Sequence, residues 1–178
     1  PFIEFNNKHF PETEHLFLIR EHSVYKLKKH ANIIYPNRPK NAIRRFLTYK
    51  KYLNAAKRIF LHGLFDPYLL VFIFFQPWLL KKSYWIIWGA DLYLHESSSD
   101  SPIRKFKELF RRIVIKNIGH LVTVVPGDIQ LARKWYQAKG RYHCSFVYPS
   151  NIFSPIRLPP KKSSEINILI GNSADPSN

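Results

Sequence analysis

Cysteine is nearly absent from this chain of 178 residues, which contains only Cys144 and no methionine. A single cysteine excludes an intrachain disulfide and a metal site built from several thiolates, and it is typical of a protein in a reducing cytoplasm. Glycine-rich phosphate loops are missing too, since neither Gly-x-Gly-x-x-Gly nor Gly-x-x-x-x-Gly-Lys-Ser/Thr occurs. The dinucleotide-binding and P-loop nucleotide classes therefore have no support.

Acidic residues are scarce. Twelve Asp and Glu face 28 Lys and Arg, which gives a net charge of +16 and a pI of about 10.0. Such a chain favours a polyanionic partner: nucleic acid, anionic lipid or a phosphorylated substrate. No Asp-x-Asp pair occurs and the eight histidines are dispersed, so we expect no metal and no cofactor.

Long hydrophobic runs are also lacking. The longest, at residues 68–80, has thirteen residues, is interrupted by Pro77 and ends at Lys81 and Lys82. A membrane span needs about 20 apolar residues. The run therefore predicts either a buried core helix or an interfacial patch with Trp and Lys at headgroup level.

Strand and helix patterns alternate through most of the chain. Strands are predicted at residues 15–19, 32–35, 59–62, 84–88, 121–125 and 144–147, and helices at 41–56, 67–75, 102–118 and 127–138. The alternation predicts an α/β fold, a Rossmann-like parallel sheet with helices on both faces. Within the helix at 102–118, Ile113 belongs to the apolar side and Arg111 to the polar side, and Gly119 is expected to form a left-handed cap.

Two of these strands end in polar residues. Residues 85–93, Trp-Ile-Ile-Trp-Gly-Ala-Asp-Leu-Tyr, join a buried strand to a small-residue turn and a carboxylate. Ligands of parallel sheets bind beyond the carboxyl ends of strands, so Asp91 is a candidate base or hydrogen-bond acceptor; the alternative is a solvent-facing Asp that caps a loop. Upstream, residues 59–62 end in His62 and Gly63, and Asp66 precedes a proline that can start a helix.

A third strand, at residues 166–170, runs into Gly171, Asn172 and Ser173. A strand, a Gly-Asn-Ser turn and a helix N-terminus together form an anion site, because free backbone N–H groups and the helix dipole point at the turn. Such short loops are also common without any ligand. Prolines, lysines and serines between residues 149 and 165 indicate a linker before this strand.

Three runs, at residues 60–67, 85–93 and 168–178, resemble in order and spacing the 4-acetamido-4,6-dideoxygalactosyltransferases of glycosyltransferase family 56. These enzymes transfer Fuc4NAc from a TDP-sugar to lipid II in the synthesis of enterobacterial common antigen. The resemblance covers the chain from about residue 15 to its end. It implies a GT-B architecture, in which an N-terminal Rossmann-like domain binds the acceptor and a C-terminal one binds the nucleotide-sugar.

The resemblance implies three segments: an acceptor-side domain at residues 1–148 that lacks its first strand, the linker at 149–165, and the start of a truncated donor-binding domain at 166–178. We therefore expect a fragment that is inactive alone. The implied partners are a TDP-sugar donor, a polyprenyl-diphosphate-linked saccharide acceptor and an anionic membrane, at the cytoplasmic face of the bacterial inner membrane.

The chemistry of such a transfer suggests roles for individual residues. We hypothesise Asp91 as the base or as the ligand of the acceptor hydroxyl, with His62 as the second candidate; a packed, neutral core histidine is an equal alternative for His62. The substrate-binding candidates are Gly63, Asp66, Trp88, Gly89 and Tyr93, and a core role is the alternative for Trp88. Gly171, Asn172 and Ser173 would bind the donor diphosphate.

Two other functions stay open. One is a GT-B enzyme with another nucleotide-sugar and a lipopolysaccharide or capsule acceptor. The other is a basic nucleic-acid-binding module, favoured by basic helices with interleaved aromatics. No nucleic-acid motif occurs, and the apolar run at 68–80 has no role in such a module, so we expect no nucleic-acid partner.

Overall fold

The computed structural model describes residues 2–20, 30–36, 41–96 and 102–145. The helices of this part of the chain are α1 (Phe2–His9), α2 (Ala42–Ala55), α3 (Pro67–Phe74), α4 (Pro102–Asn117) and α5 (Pro126–Tyr136). The strands are β1 (Phe17–Leu18), β2 (Ile33–Ile34), β3 (Ile59–His62), β4 (Ser83–Ile86), β5 (His120–Thr123) and β6 (Arg141–Cys144). Short 3₁₀ turns occupy Glu12–Glu14, Pro77–Lys82 and Tyr93–Glu96.

The central sheet contains β3, β4, β5 and β6 in that order, and all of its strand pairs are parallel. A helix lies between each strand and the next along the chain, as parallel pairing requires. Strands β1 and β2 form a separate parallel pair. The α/β prediction is therefore confirmed, and the carboxyl ends of β3 to β6 lie along one edge.

Local sequence signals explain where the helices begin and end. The Asn41 side chain accepts a hydrogen bond from the backbone N–H of Ile43 at 2.8 Å and caps α2. Asp66 caps α3, whose first residue is Pro67. Pro126 opens α5, and Gln137 ends it in the left-handed conformation with a φ of 55°. Asn, Asp and Pro are favoured at helix starts, whereas the left-handed position held by Gln137 is usually occupied by glycine.

The two faces of the sheet differ in their cover. Leu61, Trp85 and Leu121, which share one register row, are buried in a core to which α3, α4 and α5 also contribute. On the other face, the rings of Phe60 and Tyr84 stack at 4.9 Å. Helix α1 lies on that second side, because the Phe2 ring is 5.5 Å from the ring of His62, so helices flank both faces.

The apolar run at residues 68–80 serves both the core and the surface. Five of its residues are buried in α3 and the following 3₁₀ turn, and two of these, Ile73 and Leu79, have no exposed surface. Phe75 and Trp78, however, are 67% and 57% exposed. None of the described helices is long and apolar enough to cross a bilayer.

Three predictions of the sequence need correction: the start of the strand predicted at 144–147, the sides of α4, and the role of Gly119. The last strand begins at Arg141, three residues before the predicted start at 144, and pairs with β5 through residues that alternate in polarity. Arg111 is buried, because it lies against Tyr136 of α5, whereas Ile113 is 37% exposed. The predicted linker and the strand at 166–170 lie outside the described residues.

Gly119 is not a left-handed cap, since the described glycines with positive φ are Gly63 and Gly89. Its small size is needed instead for close packing: a Cβ there would lie 2.6 Å from the backbone oxygen of Lys81. The Gly119 N–H donates to the Leu80 oxygen at 2.8 Å, which places the start of β5 against the turn before β4.

We predict that Gly119→Ala lowers the free energy of unfolding by about 2 kcal/mol, because the clash is with backbone that has little freedom to move. Gly127→Ala is the matched control, because nothing lies within 4 Å of its Cβ position. That variant should be unchanged or more stable by up to about 1 kcal/mol. Urea unfolding measures both, and equal stability of the two variants would contradict the packing argument.

Candidate active site at the strand ends

The side chain of Asp91 joins the turns that follow β3 and β4. Its Oδ2 accepts hydrogen bonds from the backbone N–H of Leu64 at 3.1 Å and from Nε1 of Trp85 at 2.6 Å, and its Oδ1 accepts one from the backbone N–H of Trp88 at 3.0 Å. Asp91 is fully buried. All three donors belong to the protein, so the carboxylate stabilises the corner formed by residues 88–91. Its burial shields it from solvent.

Two glycines shape these turns. Gly63 and Gly89 have φ angles of 74° and 75°, a region that favours glycine. A Cβ on Gly63 would also clash with the Phe65 ring, whereas one on Gly89 would make only ordinary contact with Tyr93. Both glycines are therefore needed for backbone conformation, which is independent of any contact that they make with a substrate.

Asp66 lies close to these turns but is committed to the start of α3. Its Oδ1 accepts from the backbone N–H of Tyr68 at 2.8 Å, and its Oδ2 accepts from the Tyr49 hydroxyl at 2.9 Å. Burial and the neighbouring Asp66 charge raise the pKa of Tyr49. This hydroxyl therefore stays protonated and keeps donating to Asp66, so Asp66 links α2 to the N-terminus of α3.

His62, the last residue of β3, is an exposed residue on the same edge of the sheet. The Phe2 ring lies 5.5 Å from it, and partial burial by such neighbours lowers the pKa of His62 below its ordinary value of 6.5. At neutral pH the imidazole is therefore mostly uncharged. A neutral imidazole accepts a proton, which is what a general base requires.

Exposed aromatic side chains surround the corner. Phe65, Trp88 and Tyr93 are each about half exposed, at 54%, 45% and 46%. The Tyr93 ring meets the Trp135 ring edge to face at 5.7 Å between centroids. Trp88 thus lies outside the core, and Trp85 is the core tryptophan of this run, fully buried. Exposed rings beside a polar edge can stack on the apolar face of a sugar.

A second buried carboxylate lies at the same edge and is not indicated by the sequence patterns considered above. Asp128, in the first turn of α5, is 8% exposed, and its Oδ2 is 3.5 Å from Oγ1 of Thr123 at the end of β5. Burial raises the pKa of Asp128, the Thr123 hydroxyl opposes this, and the Asp91 charge adds to it. The sequence does contain one signal that could have identified Asp128: it follows Pro126 in the first turn of a helix, where acidic residues are favoured.

A chain of hydrogen bonds from α4 and α5 also stabilises the corner formed by residues 88–91. The Arg111 guanidinium donates to the Tyr136 hydroxyl at 2.7 Å, and that hydroxyl donates to the backbone oxygen of Leu92 at 3.1 Å. Burial raises the pKa of Tyr136, so the hydroxyl remains a donor. Helices α4 and α5 are thereby linked to the residue that follows Asp91.

The structure thus brings His62, Gly63, Trp88, Gly89, Asp91 and Tyr93 to one edge and gives Asp66 a capping position beside them. Gly171, Asn172 and Ser173 lie outside the described residues. Two grooves on the surface of α2 are lined by α2, by α3 and by the turn that follows α3, and by none of these edge residues. Within that part, no three His, Cys, Asp or Glu side chains lie together as metal ligands.

We predict that Asp91→Asn lowers the free energy of unfolding by about 2–4 kcal/mol, because an amide cannot accept from donors on both sides. Asp66→Asn is the matched control and should cost less, about 1 kcal/mol: its amide oxygen can still cap α3, and the Tyr49 hydroxyl, unlike the N–H donors at Asp91, can turn to accept from the amide nitrogen. Thermal unfolding followed by circular dichroism measures both. A fully stable Asp91→Asn would show that the corner does not depend on this carboxylate.

Comparison with known proteins supplies the family. No solved structure matches the chain. The family model described as 4-alpha-L-fucosyltransferase, glycosyl transferase group 56, matches residues 5–178. A match of this extent covers the sheet, the strand-end edge and the residues beyond them. The chain therefore belongs to glycosyltransferase family 56, whose activity requires a nucleotide-sugar donor and an acceptor.

Proposed function

We propose that the protein transfers 4-acetamido-4,6-dideoxygalactose (Fuc4NAc) from a TDP-sugar to a polyprenyl-diphosphate-linked saccharide, in the synthesis of enterobacterial common antigen or a related surface polysaccharide. The observation that carries the proposal is the family match over residues 5–178. It includes the three runs at residues 60–67, 85–93 and 168–178 that carry the resemblance.

The description of the family supports this class of donor. Fucose is 6-deoxygalactose, and Fuc4NAc has the same 6-deoxy galacto ring with an acetamido group at C4. The two sugars therefore share the 6-deoxygalactose constitution and differ in the substituent at C4.

The proposed architecture is GT-B, with residues 1–148 as the acceptor side, 149–165 as a linker and 166–178 as the start of the donor-binding side. The parallel sheet supports it, because ligands of such sheets bind beyond the carboxyl ends of the strands. The strand-end edge carries exposed aromatic side chains, among them Trp88 and Tyr93. Such side chains beside the carboxyl ends of parallel strands fit one wall of a cleft between two domains.

Glycosyl transfer forms a bond between an acceptor oxygen and the anomeric carbon, breaks the bond from that carbon to the diphosphate, and releases the acceptor proton. We assign that proton to His62, which is exposed at the edge and uncharged at neutral pH. Asp91 is assigned a positioning role, because it is fully buried and accepts three hydrogen bonds. Trp88 and Tyr93 are assigned to stacking on the acceptor sugar.

We predict that His62→Gln lowers kcat by about 10²- to 10⁴-fold, the contribution typical of a general base. In the wild type, kcat/KM should fall as the pH drops below 6.5, because protonation removes the basic lone pair; the variant should lose this acid limb. His120→Gln is the control and should keep the acid limb. Burial and the charges of His143, Arg141 and Arg58 also lower the pKa of His120, but this residue begins β5 and so lies at the opposite end of the parallel strands from His62. An unchanged acid limb in His62→Gln would remove His62 as the base.

The substrate assignment is tested on the purified full-length protein with TDP-Fuc4NAc, other TDP-sugars and UDP-sugars, and a lipid-linked disaccharide acceptor. Mass spectrometry of the lipid product should show the added mass of one Fuc4NAc unit with TDP-Fuc4NAc. Transfer of a different sugar would keep the enzyme class and correct the donor. Absence of transfer from every donor would overturn the proposed substrates.

A further inference from the structure

We propose that the exposed surface formed by α2 and the end of α3 is a docking site for an anionic lipid bilayer. The proposal concerns four side chains, Ile43, Leu47, Phe75 and Trp78, which we call the α2–α3 patch. It rests on the proposed function in one respect: a polyprenyl-linked acceptor requires the enzyme to work at a membrane.

All four side chains of the α2–α3 patch are strongly exposed: Ile43 by 69%, Phe75 by 67%, and Leu47 and Trp78 each by 57%. Ile43 and Leu47 are one helical turn apart on α2, so they share a face of that helix. Two neighbouring grooves, of about 600 and 480 Å³, contain this face and share Leu47, Lys50 and Gln76 in their walls. The patch therefore extends from α2 across the end of α3 to the 3₁₀ turn that holds Trp78.

Basic residues are concentrated in the segment of the chain that forms this apolar surface. Between residues 41 and 82 the chain has eight Lys and Arg (Arg44, Arg45, Lys50, Lys51, Lys57, Arg58, Lys81 and Lys82) and one acidic residue, Asp66. Lys50 and Lys51 line the groove itself. The carboxylate of Asp66 is held by the Tyr49 hydroxyl and the first turn of α3. An apolar strip beside lysines is the combination that binds the interface of an anionic bilayer.

Trp78 is held in a fixed position on this surface. Its indole Nε1 donates to Oδ1 of Asn54 at 2.9 Å, and Nδ2 of Asn54 donates to Oε1 of Gln76 at 2.9 Å. The Lys82 ammonium donates to the Asn54 backbone oxygen at 2.9 Å. The polar edge of the ring is thus satisfied by the protein while its apolar face is presented outward. A tryptophan at the depth of the lipid headgroups likewise combines a polar ring edge that has a hydrogen-bond partner with an exposed apolar ring face.

The charges favour a bilayer over a second copy of this chain as the occupant. A two-fold contact through the α2–α3 patch would bring Lys50 and Lys51 of one copy towards the same lysines of the other, and like charges repel. Anionic headgroups would instead neutralise them. The same reasoning disfavours any other basic surface as the partner.

The test is co-flotation of the purified full-length protein with vesicles of phosphatidylglycerol and phosphatidylethanolamine, compared with vesicles of phosphatidylcholine. Wild type should bind the anionic vesicles. Ile43→Ser with Leu47→Ser should weaken binding about tenfold or more. Lys50→Glu with Lys51→Glu should weaken it about 30-fold or more, and added salt should weaken wild-type binding.

The chain offers matched controls for both pairs. Leu109→Ser with Ile113→Ser changes two exposed apolar residues of α4 at the same spacing, 53% and 37% exposed. Arg133→Glu with Lys134→Glu changes two adjacent exposed basic residues of α5. Both control pairs should bind vesicles like wild type. Equal loss in a control pair and in the corresponding patch pair would overturn the proposal.

Two further measurements separate this proposal from the proposed function. With a short-chain, water-soluble acceptor, the patch variants should keep wild-type kcat, because the α2–α3 patch contains none of the edge residues. Vesicle binding that depends on the patch, without Fuc4NAc transfer, would overturn only the substrates. Sedimentation analysis covers self-association: a wild-type dimer that Ile43→Ser with Leu47→Ser dissociates would make the patch an interface between copies and overturn the docking proposal.

Discussion

The buried carboxylate of Asp91 connects parts of the chain that are distant in sequence. It accepts from a backbone N–H in the turn after β3, from the indole of Trp85 in β4 and from a backbone N–H at the end of β4. Each of these donors would lose a hydrogen bond if the carboxylate moved, and an unpaired donor in the interior costs about 1–3 kcal/mol. The relative position of the two strand ends therefore depends on this one side chain.

The strand-end edge has a buried inner side, which includes Asp91, and an exposed outer side. Behind the corner, Arg111, Tyr136 and the Leu92 oxygen form a second set of hydrogen bonds that holds the same turn against α4 and α5. In front of it, His62, Trp88 and Tyr93 are exposed. The fixed inner groups are buried, and the outer ones lie at the surface that a substrate would reach. A rigid support beneath an exposed site is what precise orientation of an acceptor requires.

The candidate site was predictable in its place and only partly in its roles. A carboxylate after a strand and a small-residue turn correctly indicated the edge of the sheet, and Asp66 before Pro67 correctly indicated a helix start. The pattern does not tell which carboxylate faces inward. Trp85 and Trp88 are three residues apart in similar surroundings of sequence, yet one is fully buried and the other 45% exposed. That difference arises where the strand ends and the chain turns at Gly89.

The fold class was set by the sequence, because strands of apolar residues alternating with amphipathic helices have few ways to bury both except a parallel sheet flanked by helices. Helix starts were set locally as well, by Asn41, Asp66 and Pro126, since capping depends on neighbouring residues. Tertiary contacts decided the rest: Gly119 against the Lys81 backbone, Arg111 against Tyr136, and Asp91 against Trp85. Each of these contacts joins residues that are brought together only when separate elements pack. The periodicity of one element gives no information about where another element packs.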